Sequence, residues 1–143
     1  MQVTVLAGGI GAARFLQGLI TATGSTHEQP TVTVVGNTGD DIRLFGLQIC
    51  PDLDSVMYTL GGGADTERGW GREELRNDGA KPDWFGLGGR DIATHLVRTQ
   101  ALDAGYPLSS VTAGLAARWE LPITLTPMTD DRVETHVVID DPD

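Results

Sequence analysis

A chain of 143 residues, 40% hydrophobic and carrying 19 glycines, has the size and texture of one α/β domain with many backbone turns. Twenty acidic side chains against ten basic ones leave a formal charge of −10, which repels nucleic-acid backbone and anionic membrane alike and excludes both as partners. No apolar run is long enough to span a bilayer and no charged leader precedes the first strand pattern, so a cytoplasmic protein without a membrane span or export signal is expected.

Residues 2–7 (QVTVLA) and 31–36 (TVTVVG) read as buried strands, with residues 12–20 as the crossover helix of a βαβ unit. The turn between them contains Gly8, Gly9 and Gly11. Such a turn allows a phosphate to approach the N–H groups at a helix start, and Arg14 tilts the reading toward an anion; tight βα packing is the alternative. A dinucleotide fingerprint would need a glycine where Arg14 stands and an acidic residue closing the second strand, where Gly36 and Asn37 stand, so NAD is not expected.

GNTGDDIRLFG, residues 36–46, then places Asp40 and Asp41 at the carboxyl edge of the sheet, where ligands of open α/β sheets gather. Cys50, the only cysteine, has no activating charge beside it in sequence and reads as a small buried hydrophobe. Asp52 and Asp54 of PDLD follow. The four carboxylates are hard oxygen ligands at a density that suits Mg²⁺. Solvated turns, or Asp54 capping the helix that follows it, are the competing accounts. Lys81 is the sole lysine, so an anionic substrate would be met by arginine, backbone amides or a metal.

Short helices are predicted at 54–60 and 71–77, and a longer one at 90–102 with Ile92, Leu96, Val97 and Leu102 near helical spacing and Gly105 as its stop. Ser109 caps a helix over 109–118. Strand character returns at 121–125 and 133–139, continuing the sheet. Trp70 and Trp84 flank the second short helix, where lid or core packing is the commoner use of tryptophan and stacking on a flat ring the rarer one. The whole pattern is a Rossmann-like α/β fold, a mainly parallel sheet with helices on both faces.

LAGGIGAARFLQGL, GNTGDDI, ICPDLDSVMYTLGGG, RGWGR, PDWFGLGGRDIATHLVR and PMTDDRVETHVV together resemble the transferases of coenzyme F420 biosynthesis. That family is called 2-phospho-L-lactate transferase or, in its actinobacterial branch, phosphoenolpyruvate transferase; the RGWG and PDWFGLG blocks are similar to the actinobacterial branch. The resemblance implies that the terminal ribityl hydroxyl of the deazaflavin Fo attacks the diphosphate of a guanosine-diphospho donor and releases GMP. It further implies Mg²⁺ on Asp40 and Asp54, with Asp40, Asp41 and Asp54 as the catalytic set. Substrate contacts fall to Gly8, Gly9, Gly11, Arg14, Asn37, Asp52, Arg90, Asp91, Thr94, His95, Asp130, Asp131 and Arg132.

The family's LGDRD block reads Leu87, Gly88, Gly89, Arg90, Asp91 here, so one aspartate is absent; a helix-capping role for that position is favoured. For His95 the competing account is a hydrogen-bonded helix histidine, and for Asp130 to Arg132 a solvated hairpin. A homodimer is the assembly the resemblance suggests. The resemblance also leads to the expectation of a longer protein, with residues 1–143 as the N-terminal part of a single, incomplete transferase domain. A nucleotide-sugar or dinucleotide-binding regulator of the related Rossmann-like group is the alternative.

Overall fold

The computed structural model of the chain describes residues 1–24, 30–62, 89–132, 136 and 138. Three parallel strands, β1 (Gln2–Ala7), β2 (Thr31–Gly36) and β5 (Thr124–Pro127), form a sheet of order β1-β2-β5. Alternation along each strand places Val3, Val5, Ala7, Val32, Val34 and Leu125 on one face, and the side chains of that face enter the core.

Helices α1 (Gly9–Thr23) and α4 (Leu108–Arg118) connect into β2 and β5. Both connections step in the same direction across the sheet, and right-handed crossovers of that kind lie on the same face. Leu6, on the opposite face, is exposed. Helix α2 (Pro51–Leu60) packs on α1 and contributes Leu53, Val56 and Met57 to the core beside Ala13 and Leu16. Gly36 lets it approach, because a Cβ there would collide with the Leu53 side chain. The first turn of α2 is thereby held against the carboxyl ends of the strands.

A hairpin, β3 (Ile42–Leu44) and β4 (Leu47–Ile49), turns through Phe45 and Gly46 at φ 51° and 81°. Two successive left-handed residues are what a type I′ turn requires. Helix α3 (Gly89–Asp103) ends as expected at Gly105, whose φ of 93° permits the bonds Gly105 N–H to Leu102 O and Tyr106 N–H to Ala101 O.

Several boundaries move for local reasons. α2 starts at Pro51, whose missing N–H costs nothing at a first helical position, so Asp54 lies inside the helix rather than capping it. α4 starts at Leu108, and Ser109 is a donor rather than its cap. The strand expected at 121–125 begins at Thr124 because Glu120, at φ 52°, and Leu121 close α4 by bonding to Ala117 and Ala116 carbonyls. The helix expected at 71–77, Trp70 and Trp84 lie outside the described residues, as does most of the strand expected at 133–139. Cys50 is fully buried, and Trp119 packs on Tyr58 with ring centroids 5.3 Å apart.

Candidate functional site at the carboxyl edge of the sheet

At the carboxyl end of β1 the chain turns through Gly8, extended, and Gly9, at φ 69°, into α1. Asp52, from the first turn of α2, stands over this turn: a Cβ on Gly8 or on Gly9 would lie 3.6 Å from one of its carboxylate oxygens. Asn37, at the end of β2, donates from Nδ2 to Asp52 Oδ2 at 2.7 Å and, more weakly, to Asp40 Oδ2 at 3.5 Å. Gly39 N–H donates to Asn37 Oδ1 at 3.0 Å, which fixes the amide so that its NH₂ faces the two carboxylates. Thr38, beside them, is 1% exposed and its hydroxyl meets no partner among the described residues. Gly11 and Arg14 continue along α1, where Arg14 is exposed and no acidic side chain occupies the helix's first turn.

The four aspartates therefore divide. Asp40 and Asp52 share Asn37 at the strand ends, whereas Asp41 and Asp54 turn inward. Asp54, 1% exposed, accepts from Arg98 Nη2 on one oxygen and from Arg98 Nη1 at 3.2 Å on the other. The expectation that Asp54 holds a metal meets this geometry directly: both of its oxygens are committed to a buried guanidinium, and it is Asp52 that accompanies Asp40. Asp41 lies beside the buried Cys50 thiol, one of its oxygens meeting no partner among the described residues, and burial raises its carboxyl to about 6. Among the described residues no three His, Cys, Asp or Glu side chains come together as a ready metal cage.

The buried stripe of α3 is polar. Asp91, Thr94, His95, Arg98 and Thr99 are buried at successive turns, while Leu96 and Val97, two of the apolar residues that suggested the helix, are exposed. Arg98 and Thr99 tie the stripe to its neighbours by hydrogen bonds, while Arg98 Nε meets no partner among the described residues. Tyr58 of α2 lies beside Asp91 and Thr94 in the interior, and burial raises its hydroxyl. Arg98 Nη1 donates to His95 Nδ1 at 3.2 Å, and burial lowers the histidine's pKa, so the ring is neutral with its proton on Nε2. Asp91, Thr94 and His95 are thus set against α2 in the interior, and Arg90 lies in the first turn of the same helix. Arg98, absent from the candidates read from sequence, is the largest fully buried side chain among the described residues. Its signal was a charged residue at i+3 from His95 and i+7 from Asp91 on a helix.

Asp130 has a structural partner as well: its carboxylate accepts from Ser109 N–H at 2.7 Å and Ser109 Oγ at 2.9 Å, capping α4 from across the chain. Asp131 and Arg132 are exposed and, with Asp41, Arg43, Tyr106 and Leu108, line an open cleft of about 440 Å³. Asp41 is the residue through which this cleft adjoins the strand-end cluster.

The family model described as 2-phospho-L-lactate transferase CofD matches residues 3–143. The phosphoenolpyruvate transferase of Streptomyces griseus is 60% identical over 148 residues, covering 98% of this chain and 45% of the relative. That of Thermobifida fusca is 60% identical, covering 99% and 48%, and that of Mycobacterium avium 53% identical, covering 100% and 49%. The chain spans about half the length of the curated relatives it matches. Among solved structures, protein BH3568 from Bacillus halodurans superposes with a TM-score of 0.54 at 18% identity, over 87% of this chain and 38% of that one. A second structure of the same protein, described as a member of the UPF0052 family, gives 0.55 at 16% identity, over 88% and 38%. These two bear on the fold alone, and they agree with a parallel α/β sheet.

Proposed function

Since the chain belongs to the 2-phospho-L-lactate transferase CofD family, we propose that it serves a transferase of coenzyme F420 biosynthesis, in which Fo receives a phosphoenolpyruvyl or phospholactyl group from a guanosine-diphospho donor. In this reading the acceptor's terminal hydroxyl oxygen bonds to the phosphorus bearing the organic acid. The bond from that phosphorus to the bridging oxygen breaks, and GMP leaves. The observation that carries the reading is the cluster of Gly8, Gly9, Asn37, Asp40 and Asp52 at the carboxyl edge, with no side-chain cap and no acidic residue in the first turn of α1.

A diphosphate brought to that helix start is attracted by its N–H groups and repelled by two carboxylates. A divalent cation between them resolves the conflict, and the donor set fits Mg²⁺, which characteristically takes one or two carboxylates and completes its shell with phosphate and water. Asp40 and Asp52 are the residues proposed to hold it. Bound there, Mg²⁺ supplies neutralisation of the diphosphate charge. Asn37 orients both carboxylates, and the backbone at Gly8 and Gly9 leaves room for the phosphate. Asp41, raised to about 6 and lining the adjoining cleft, suits the acceptance of the hydroxyl proton near neutral pH. Phosphoryl transfer asks the protein for placement and charge compensation more than for covalent chemistry, which is what these residues supply.

Calorimetry of the chain with GDP and Mg²⁺, followed by assay of GMP release from the donor in the presence of Fo by a longer protein that carries residues 1–143, tests this. Mg²⁺-dependent GDP binding that Gly9→Val abolishes, and GMP release that requires Fo, are expected. NAD binding tighter than GDP, or GDP binding indifferent to Mg²⁺ and to Gly9, overturns it.

A further inference from the structure

We infer that Arg98 is a positioning residue for the carboxyl-edge site, holding Asp52 in place by clamping the chain on either side of it. The inference rests on the reading of that edge as the donor site. Upstream of Asp52, both main-chain groups of Gln48 in β4 are bound by α3: its N–H donates to Thr99 Oγ1 at 2.8 Å and its carbonyl accepts from Arg98 Nη1 at 3.3 Å. Thr99 Oγ1 in turn donates to His95 O at 2.6 Å, which fixes its lone pairs toward Gln48. Downstream, the Arg98 fork takes both oxygens of Asp54. Asp52 lies between these two anchors, in the turn of α2 that opens directly from β4 through Cys50 and Pro51.

The choice of an ion pair for this joint is informative. A buried pair is worth no more to stability, and often less, than well-packed apolar side chains of similar volume. What a bidentate guanidinium adds is direction, since a planar fork accepts a carboxylate in one orientation. Leu53 packed on Gly36 sets how closely α2 approaches, and the fork at Asp54 sets its rotation about its axis, a small change in which moves Asp52 laterally over Gly8 and Gly9. Arg98 makes no contact with the strand-end cluster itself. Its effect passes through Asp54 and Gln48.

The experiment compares the chain with Arg98→Met, with Arg98→Lys, and with the double variant Asp54→Leu/Arg98→Met, which replaces the pair by apolar side chains and leaves no unpaired buried charge. Two readouts are taken. The NMR resonances of the Asn37 side-chain amide report the position of Asp52, to which that amide is bonded, and calorimetry reports GDP binding with Mg²⁺. The double variant, folded by circular dichroism, is expected to shift the Asn37 amide and to weaken GDP binding by at least about tenfold, since small misplacements of positioning groups are costly. Arg98→Lys, which keeps the charge and loses the fork, is expected to fall between the parent and Arg98→Met. A folded double variant with the parent's Asn37 resonances and GDP affinity overturns the inference. If the parent chain ignores GDP, the donor-site reading is what fails, and the Asn37 resonances alone decide whether Arg98 positions Asp52.

Discussion

Replacing Asp54 by asparagine separates two accounts of the PDLD segment, one in which Asp54 meets a metal and one in which it meets only Arg98. The carboxylate is 1% exposed and accepts from both Nη groups of a guanidinium that is itself 1% exposed. An amide keeps one acceptor oxygen but presents an NH₂ where the second oxygen stood, so the buried cation loses its counter-charge and faces a donor. Breaking a buried pair on one side costs about 3–5 kcal/mol, and the retained oxygen places this variant near about 3 kcal/mol. For 143 residues the unfolding entropy is about 0.3 kcal/mol/K, so the melting temperature is expected to fall by about 10 °C. Thermal unfolding followed by circular dichroism measures this directly, with the Mg²⁺ dependence of GDP binding measured below the transition. Near-parental melting, within about 3 °C, combined with lost Mg²⁺ dependence, would refute the reasoning and return Asp54 to the metal.

Three further substitutions probe separate parts of the molecule. Gly9→Ala forces a side chain into a left-handed backbone at φ 69° beside Asp52, so about 1–2 kcal/mol of stability is expected to be lost, along with GDP binding, in thermal unfolding and calorimetry. Asp130→Ala removes the cap on α4 and is expected to cost about 1 kcal/mol while leaving GDP affinity unchanged. Asp41→Asn tests the raised carboxyl: the folded chain holds that proton up to about pH 6 against an ordinary value of 3.8, so stability is lost as pH rises between those values. The asparagine variant, which cannot ionise, is expected to melt above the parent at pH 8 and level with it at pH 3.5. In a longer protein carrying residues 1–143, the rate of the proposed transfer is expected to rise through pH 6, and Asp41→Asn is expected to remove that limb.

The parts of the fold that depend on local pattern were legible in the sequence. The apolar runs QVTVLA and TVTVVG gave both strands at their observed bounds, though β1 is exposed at alternate residues rather than buried, and Gly105 marked the end of α3 because only a left-handed residue closes that motif. The parts that depend on pairing across the chain were not. β3 and β4 have three residues each, too few for periodicity to register, and their turn uses Phe45, a residue rarely found at positive φ. The cap of α4 comes from Asp130, twenty-one residues from the Ser109 it binds, so no local signature contains it. α3 misled for another reason: hydropathy assigns the interior to Leu96 and Val97, whereas the interior there is a hydrogen-bonded surface of α2 and β4 that needs Asp91, Thr94, His95, Arg98 and Thr99.

The candidate site turns on where one helix begins. Read as starting at Asp54, the helix leaves Asp52 in the loop before it and Asp54 at its edge, both able to reach the same ion. Starting at Pro51, it places both in the first turn of α2, where residues two apart lie roughly 200° around the axis and cannot face the same partner. Asp52 then points to the strand ends and Asp54 to α3. The adjacent pair Asp40 and Asp41 divides in the same sense as the chain leaves its turn for β3, with Asp40 toward Asn37 and Asp41 toward Cys50. Four acidic residues close in sequence thus make two sites of different kinds: an outer pair at the strand ends, where a helix start is open to a phosphate, and an inner pair that meets a buried arginine and a buried thiol. The density of carboxylates suggested a cation, and under the proposed reading the helix start decides which of them could reach one.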